Sequence, residues 1–256
     1  MKRLIVTADD VGLHRGMTAG AIHAHRQGIV TACSISANGR DFDDAVARLR
    51  EVPTLEAGVH LTLVEERALT TGRAMPSSYI RFLFSSKKVE DELRAQIEKV
   101  LGSQLPVTHL NGHQHLHQWP PVFEIVQKLA AEYRIRYVRR VRDRGGRGGL
   151  LRRFSIGVLN ALARGGTNDR TIGVLEAGHL REVEPLLDHV EGTTELVTHP
   201  GLGVDAYPHW NYDWEAETRA LCAPGLREAI AARGIALIAP SDVLVSGLEK
   251  QLFFQK

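Results

Sequence analysis

Short β-branched segments alternate with longer segments of helical periodicity along this chain, and this alternation limits its fold more than any other feature. Strands separated by helices predict a parallel sheet, because each helix returns the chain to the edge where the next strand begins. Eight strands are predicted, at 4–8, 30–37, 57–63, 107–111, 135–140, 171–175, 194–199 and 235–239. Six helices are predicted, at 16–27, 41–51, 87–102, 119–132, 179–190 and 214–233.

The number of strand–helix units favours a barrel. A chain of 256 residues has the usual length of one large α/β domain, and about eight units fit a closed or nearly closed (β/α) barrel better than an open sheet. An open doubly wound sheet remains the alternative, since both folds place their sites at the carboxyl ends of strands. We expect one domain over 1–248, an Arg/Gly-rich insertion near 134–164, and a tail over 249–256 that resembles an expression scar.

Charge and cysteine content disfavour several classes of protein. A net charge of +2 is too small to indicate nucleic-acid binding by the whole chain. Cys33 and Cys222 cannot form a disulfide framework and lack the spacing of a metal motif, which indicates a reducing, cytoplasmic environment. No apolar run reaches the roughly 18 residues of a membrane span. The sequence motifs of P-loop nucleotide-binding proteins and of serine hydrolases are also absent.

Two adjacent carboxylates, Asp9 and Asp10, directly follow the first predicted strand. Neighbouring carboxylates repel each other and resist burial, and a bound cation is the usual way in which both stay ionised. One of them could cap a helix instead, but a cap explains a single Asp and not a pair. The pair therefore indicates a metal site at the end of this strand.

Histidines occur near the ends of three further predicted strands. His60 lies in an apolar segment, where a single histidine is more often a core residue than a ligand. The fourth strand runs into a cluster in which His113, His115 and His117 would share one face of an extended chain. They cannot all bind one catalytic metal, which needs an open position, so at least one should contact substrate or support a ligand. His199 ends the seventh strand and would face the same mouth of a barrel.

In their order and spacing these motifs resemble the YdjC-like carbohydrate deacetylases, a family that includes chitooligosaccharide deacetylases. The matching segments are TADDVGL at 7–13, GIVTACS at 28–34, GVHLTL at 58–63, THLNGHQHLH at 108–117 and THPG at 198–201. The resemblance implies a distorted TIM-like barrel that binds one divalent metal ion, zinc or magnesium. It also implies a hydrolase that removes an N-acetyl group from the amino-sugar moiety of an oligosaccharide or glycolipid and releases acetate.

The same resemblance implies roles for individual residues. Asp10, His60 and His113 correspond to the metal ligands. Asp9 corresponds to the general base, and His199 to a general acid or a substrate contact. Substrate-facing or supporting roles are implied for the remaining candidates, Asn111, His115 and His117.

Two positions depart from the family pattern, and they bear on the alternatives. Val11 replaces the usual Phe, which concerns packing, whereas Asn111 replaces the usual Asp and removes a charge beside the metal. That loss supports one alternative, a family member that binds metal or sugar with impaired catalysis. The other alternative is a metal-dependent phosphoesterase on a similar barrel, which usually holds more than one metal ion.

The Arg/Gly-rich segment and LVEERAL at 63–69 most resemble the deacetylases associated with hopanoid biosynthesis, which implies an N-acetylated glycolipid as substrate. Nine arginines lie between Arg134 and Arg153, and an apolar stretch overlaps and follows them at 150–162. The segment is either a solvated loop before a core helix or a lid that contacts an anionic membrane surface. As partners we expect an N-acetylated sugar or glycolipid, no nucleic acid, and a second copy of the chain in a homodimer.

Overall fold

The computed structural model describes residues 1–77, 89–142 and 165–243, and within these ranges every paired strand belongs to one parallel sheet. The strands are β1 (Lys2–Val11), β2 (Ala32–Ile35), β3 (Glu56–Leu61), β4 (Val107–Gly112), β5 (Tyr137–Val138), β6 (Arg170–Ile172), β7 (Thr193–Thr198) and β8 (Ile235–Leu237). Their order is β5-β4-β3-β2-β1-β7-β6, and β8 also pairs with β1. The eight strands predicted from the sequence are thus all present.

Helices cross between most of the strands. They are α1 (Arg15–Gln27), α2 (Phe42–Arg50), α3 (Val89–Gly102), α4 (Pro120–Glu132), α5 (Glu184–Leu187), α6 (Trp214–Leu221) and α7 (Leu226–Ala232). Short 3₁₀ turns occur at His113–Gln118, Pro208–Trp210 and Pro240–Asp242.

Two of the predicted helices differ from the prediction, and prolines account for both. The segment 214–233 forms α6 and α7 instead of one helix, because Pro224 interrupts the chain and Gly225 adopts a left-handed φ of 78°. In 179–190 only Glu184–Leu187 is helical. Pro185 fits the first turn of a helix but not its interior, so the helix cannot begin much earlier.

The sheet curls until its two end strands approach each other, and irregular hydrogen bonds join them. The Thr167 amide donates to the Val138 carbonyl oxygen (3.0 Å), and the Arg140 amide donates to Asn168 Oδ1 (2.7 Å). The Thr171 hydroxyl donates to the Arg140 carbonyl oxygen (2.7 Å). These contacts replace a regular ladder between β5 and β6 within the described ranges. The predicted fold, a single-domain distorted TIM-like (β/α) barrel, is confirmed.

Strand β1 lies at the centre of this sheet. On one edge it pairs with β7, whereas on the other edge β8 pairs with residues 2–4 and β2 with residues 7–11. Every β1 residue from Leu4 to Val11 is buried. Because all the strands are parallel, their carboxyl ends meet at one mouth of the barrel, and Asp9 and Asp10 lie there.

Some predictions concern residues outside the described ranges. Residues 143–164 of the Arg/Gly-rich insertion and the 249–256 tail lie outside them, whereas 134–142 is described and contains β5. Among the described helices, none has both the length and the apolar character needed to cross a membrane.

Candidate metal centre

Asp10, His60 and His113 come together at the mouth of the barrel, and all three are buried. Asp10 Oδ1 lies 3.1 Å from His60 Nε2 and 3.0 Å from His113 Nδ1. One ligand atom from each residue lies within 4.8 Å of the others, which is close enough for all three to hold one ion. The three residues come from the ends of β1, β3 and β4, so the parallel strands bring them together.

A local irregularity in β1 lets the side chains of both Asp9 and Asp10 point into the mouth of the barrel. Adjacent residues of a regular strand point to opposite faces of the sheet. Here the register slips between Ala8 and Val11, and Asp10 adopts a left-handed φ of 64°, which Asp tolerates better than most residues. Asp10 therefore reaches His60 while Asp9, its neighbour, also faces the barrel interior and meets β4.

Each imidazole of the cluster has its second nitrogen held by an oxygen. His60 Nδ1 lies 2.7 Å from Asn111 Oδ1, and His113 Nε2 lies 3.1 Å from Glu65 Oε2. The nitrogen that remains on each ring faces Asp10 Oδ1. Such close nitrogen–carboxylate contacts are favourable only with a proton or a metal cation between the two atoms.

The ionisable groups of this cluster shift one another's pKa values strongly. Burial would raise the pKa of Asp10, but His113 and His60 hold it well below its usual value. Burial also opposes protonation of His113, yet Asp10 and Glu65 raise its pKa to about 10. The site thus attracts positive charge, as expected for a cation site.

Asp9 does not join the ligand cluster but is held by Arg139. Arg139 Nη1 donates to Asp9 Oδ2 (2.5 Å) and Nη2 to Asp9 Oδ1 (2.9 Å), a bidentate pair between two buried side chains. Although burial alone would raise the pKa of Asp9, the Arg139 guanidinium lowers it far below its usual value. Asp9 is therefore held ionised.

A second buried carboxylate, Glu195 in β7, holds the other side of Arg139. Glu195 Oε1 accepts from Arg139 Nε (2.9 Å) and from the Thr7 hydroxyl (2.7 Å). Its Oε2 accepts from the Tyr137 hydroxyl (2.8 Å). The guanidinium, which follows β5, is thus fixed to two adjacent strands, β1 and β7.

His199 borders the same cluster from the end of β7. Its Nε2 lies 4.0 Å from Asp10 Oδ2, and its Nδ1 lies 3.8 Å from Oε1 of the buried Glu217. The His199 backbone amide donates to that same Glu217 oxygen (2.6 Å). Burial opposes protonation of His199, but Glu217, Asp10 and Asp9 together raise its pKa.

The other two histidines of the cluster do not align with His113. Residues 113–118 form a 3₁₀ turn instead of an extended strand, and His115 adopts a left-handed φ of 58°. The prediction that the three rings share one face assumed an extended chain. It is therefore wrong here. His117 is buried, and its Nε2 lies 3.0 Å from the Arg139 carbonyl oxygen, so it supports the backbone of that arginine. His115 is partly buried, and its ring lies 6.4 Å from that of His117.

The motifs in the sequence do not single out Arg139, Glu195 or Glu65. Arg139 lies within the basic segment, and Glu195 lies within the seventh predicted strand. The sequence feature that identifies Arg139 and Glu195 is an ionisable residue inside a predicted buried strand. Such a residue needs a buried partner of opposite charge. Arg139 in 135–140 and Glu195 in 194–199 satisfied that condition together.

Aromatic rings form one wall beside the cluster. Trp210 lies 5.2 Å from the His113 ring, measured between centroids, and its Nε1 donates to Glu65 Oε2 (3.1 Å). The Tyr207 ring stacks on Trp210 with 4.5 Å between the ring centroids, and its hydroxyl donates to Glu66 Oε1 (2.8 Å). The wall thus contacts both a candidate ligand and the carboxylate that holds it.

Comparisons with known proteins relate this chain to one family. The profile of the YdjC-like protein family matches residues 3–232. A carbohydrate deacetylase of Brevibacillus brevis is 37% identical over 142 residues, which are 52% of this chain and only 57% of that protein. A chitooligosaccharide deacetylase of Salmonella typhimurium is 29% identical over 255 residues, covering 90% of this chain and 95% of that protein.

A solved structure supports the fold. It is a protein from Enterococcus faecalis V583, named as a candidate cellobiose-phosphate cleavage protein, and it superposes with a TM-score of 0.76. The superposition covers 95% of this chain and 99% of that chain, at 24% sequence identity. At this identity the likeness concerns the fold alone.

Proposed function

Since this chain belongs to the YdjC-like protein family, we propose that it is a metal-dependent hydrolase that removes an N-acetyl group from an amino-sugar moiety, releasing acetate. The convergence of Asp10, His60 and His113 is the observation that carries the proposal. The names of the relatives, carbohydrate deacetylase and chitooligosaccharide deacetylase, support the substrate class, an oligosaccharide or glycolipid.

The donor set fits a divalent ion. Two imidazoles and one carboxylate suit zinc and other divalent transition metals, and magnesium is the alternative if water completes the site. Three protein ligands leave positions for water and substrate, which is typical of catalytic centres. When bound, such an ion polarises an amide carbonyl and lowers the pKa of a water molecule.

Asp9 is the proposed general base. Its Oδ1 accepts from Ser34, Asn111 and Arg139, whereas its Oδ2 accepts from Arg139. A carboxylate oxygen has about two lone pairs, so Oδ2 has the capacity to accept a proton from the attacking water. Because Arg139 keeps Asp9 ionised, the carboxylate carries no proton at neutral pH, and the same ion pair lowers its strength as a base.

His199 is the proposed general acid. Attack of the water oxygen on the acetamide carbon is followed by cleavage of the C–N bond, and the departing amine needs a proton. His199 Nε2 lies 4.0 Å from Asp10 Oδ2 at the edge of the cluster, and its raised pKa favours the protonated form that can donate this proton. The products are acetate and the free amino sugar.

We also propose that residues 1–248 form one deacetylase domain with an insertion near 134–164, of which the first part, 134–142, contributes β5 to the sheet. One sheet contains strands from Lys2 to Leu237, which supports a single unit. A hopanoid glycolipid is the narrowest form of the substrate proposal, and it rests on the sequence resemblance alone.

The test combines metal analysis with an acetate-release screen of chitooligosaccharides and N-acetylglucosaminyl lipids. We expect one metal ion per chain and acetate release that chelation abolishes and added metal restores. A protein that binds metal yet releases no acetate from any of these compounds would contradict the proposal. Two or more ions per chain with cleavage of phosphate esters would instead indicate a phosphoesterase.

A further inference from the structure

Asn111 and Ser34 both bridge His60 and Asp9, two side chains with different proposed roles. Asn111 is the register partner of His60 in the β3–β4 ladder, and Ser34 lies in β2, next to β3. Both side chains are fully buried. Each of them therefore has to satisfy its hydrogen-bonding groups with these neighbours and not with bulk water.

The two bridges share one hydrogen-bond direction, which Asp9 determines. An ionised carboxylate only accepts hydrogen bonds, so the Asn111 amide donates from Nδ2 to Asp9 Oδ1 (3.0 Å) and Ser34 donates its hydroxyl proton there (2.9 Å). Asn111 Oδ1 is then the atom that faces His60 Nδ1, at 2.7 Å. The Ser34 oxygen, having used its single proton, can only accept at its 3.2 Å contact with His60 Nδ1.

Both bridges consequently require the proton of a neutral His60 to be on Nδ1. That tautomer leaves the lone pair on Nε2, the atom 3.1 Å from Asp10 Oδ1 and part of the candidate metal cluster. The other neutral tautomer would set Nδ1 against two acceptor oxygens and place a hydrogen where the ion has to bind.

We propose that Asn111 and Ser34 are positioning residues that hold His60 in its metal-binding tautomer, with Asp9 fixing the direction of both bridges. The inference rests on the proposed function only in taking His60 as a metal ligand. Asn111 then supports the metal site, because its amide group donates a hydrogen bond to Asp9 and accepts one from His60. Partners of metal-bound histidines commonly change metal affinity by about 10–100-fold when they are replaced.

The test measures the zinc dissociation constant by chelator competition. Asn111→Leu removes one acceptor, Ser34→Ala removes the other, and the double variant removes both. We expect zinc to bind about 10-fold more weakly to Asn111→Leu and about 100-fold more weakly to the double variant. Asn111→Asp is the matched control, because its carboxylate still accepts from His60 Nδ1, and it should bind zinc no more weakly than wild type.

A second measurement reports the tautomer directly. In zinc-loaded, ¹⁵N-labelled protein, the His60 Nδ1–H signal should persist in wild type and Asn111→Asp and should exchange faster in the double variant. If the folded double variant binds zinc as wild type does, or if Asn111→Asp loses as much affinity as Asn111→Leu, the inference is wrong. If the zinc affinities follow the expected order but no acetate is released, the proposed function is contradicted and this inference is still supported.

Discussion

Replacing Arg139 with methionine tests the buried charge network at the barrel mouth. Arg139 makes four hydrogen bonds to Asp9 and Glu195, at 2.5–2.9 Å, and its side chain is 0% exposed. Methionine has a similar reach and fills much of the same space but has no charge. The variant therefore leaves two buried carboxylates without their shared cation.

The magnitude follows from the cost of leaving a buried charge unpaired. Removing one partner of a buried ion pair costs about 3–5 kcal/mol of unfolding free energy. Because one guanidinium serves two carboxylates here, we expect Arg139→Met to lie at the upper end of that range. For a domain of this size a loss of about 5 kcal/mol lowers the melting temperature by roughly 10–20 °C.

The assay is urea unfolding in the presence of a chelator, since bound metal would otherwise add its own stabilisation. The control is the triple variant Arg139→Met/Asp9→Asn/Glu195→Gln, which neutralises all three groups. Because this variant leaves no unpaired buried charge, it should recover much of the loss. A decrease below about 1 kcal/mol in Arg139→Met, or no recovery in the triple variant, would refute the network as the source of the effect.

Three further sets of substitutions separate the roles within the site. Asp9→Asn should keep the metal content of wild type but lose turnover, whereas Asp10→Asn should lose both. Elemental analysis measures the metal content, and equal metal loss in the two variants would contradict this division of roles. Glu65→Ala should weaken zinc binding by about 10–100-fold because His113 loses the acceptor at its Nε2, and Glu65→Gln, which keeps an acceptor, should lose less. His199→Gln should lower kcat for an N-acetyl sugar by about 10²–10⁴-fold but barely affect an activated ester, whose leaving group needs no proton. Similar losses with both substrates would argue against His199 as the acid.

Local sequence was sufficient for most of the secondary structure. The alternation of β-branched and amphipathic segments predicted all eight strands, because burial on both faces of a parallel sheet demands short apolar runs. The errors occurred where one residue overrode the pattern. Pro224 divided the last helical segment, and the turn after Gly112 replaced an expected extended chain.

For the candidate site, the sequence supplied the residue types and their places at strand ends. Asp9 and Asp10 drew attention because two adjacent carboxylates are costly to bury. The family resemblance then selected His113 from its cluster, and the structure brings it to Asp10. The roles of these residues remain predictions.

The sequence by itself determined the strands, their parallel arrangement and the polar residues that follow them, since each depends on neighbours within a few positions. The tertiary structure decided the partners: Arg139 for Asp9, Glu65 for His113, and Asn111 for His60. These pairs are separated by 48 to 130 positions in the chain. Their contacts exist only once the strands have assembled into the sheet, because burial then forces each charge or imidazole to find a partner on another segment of the chain.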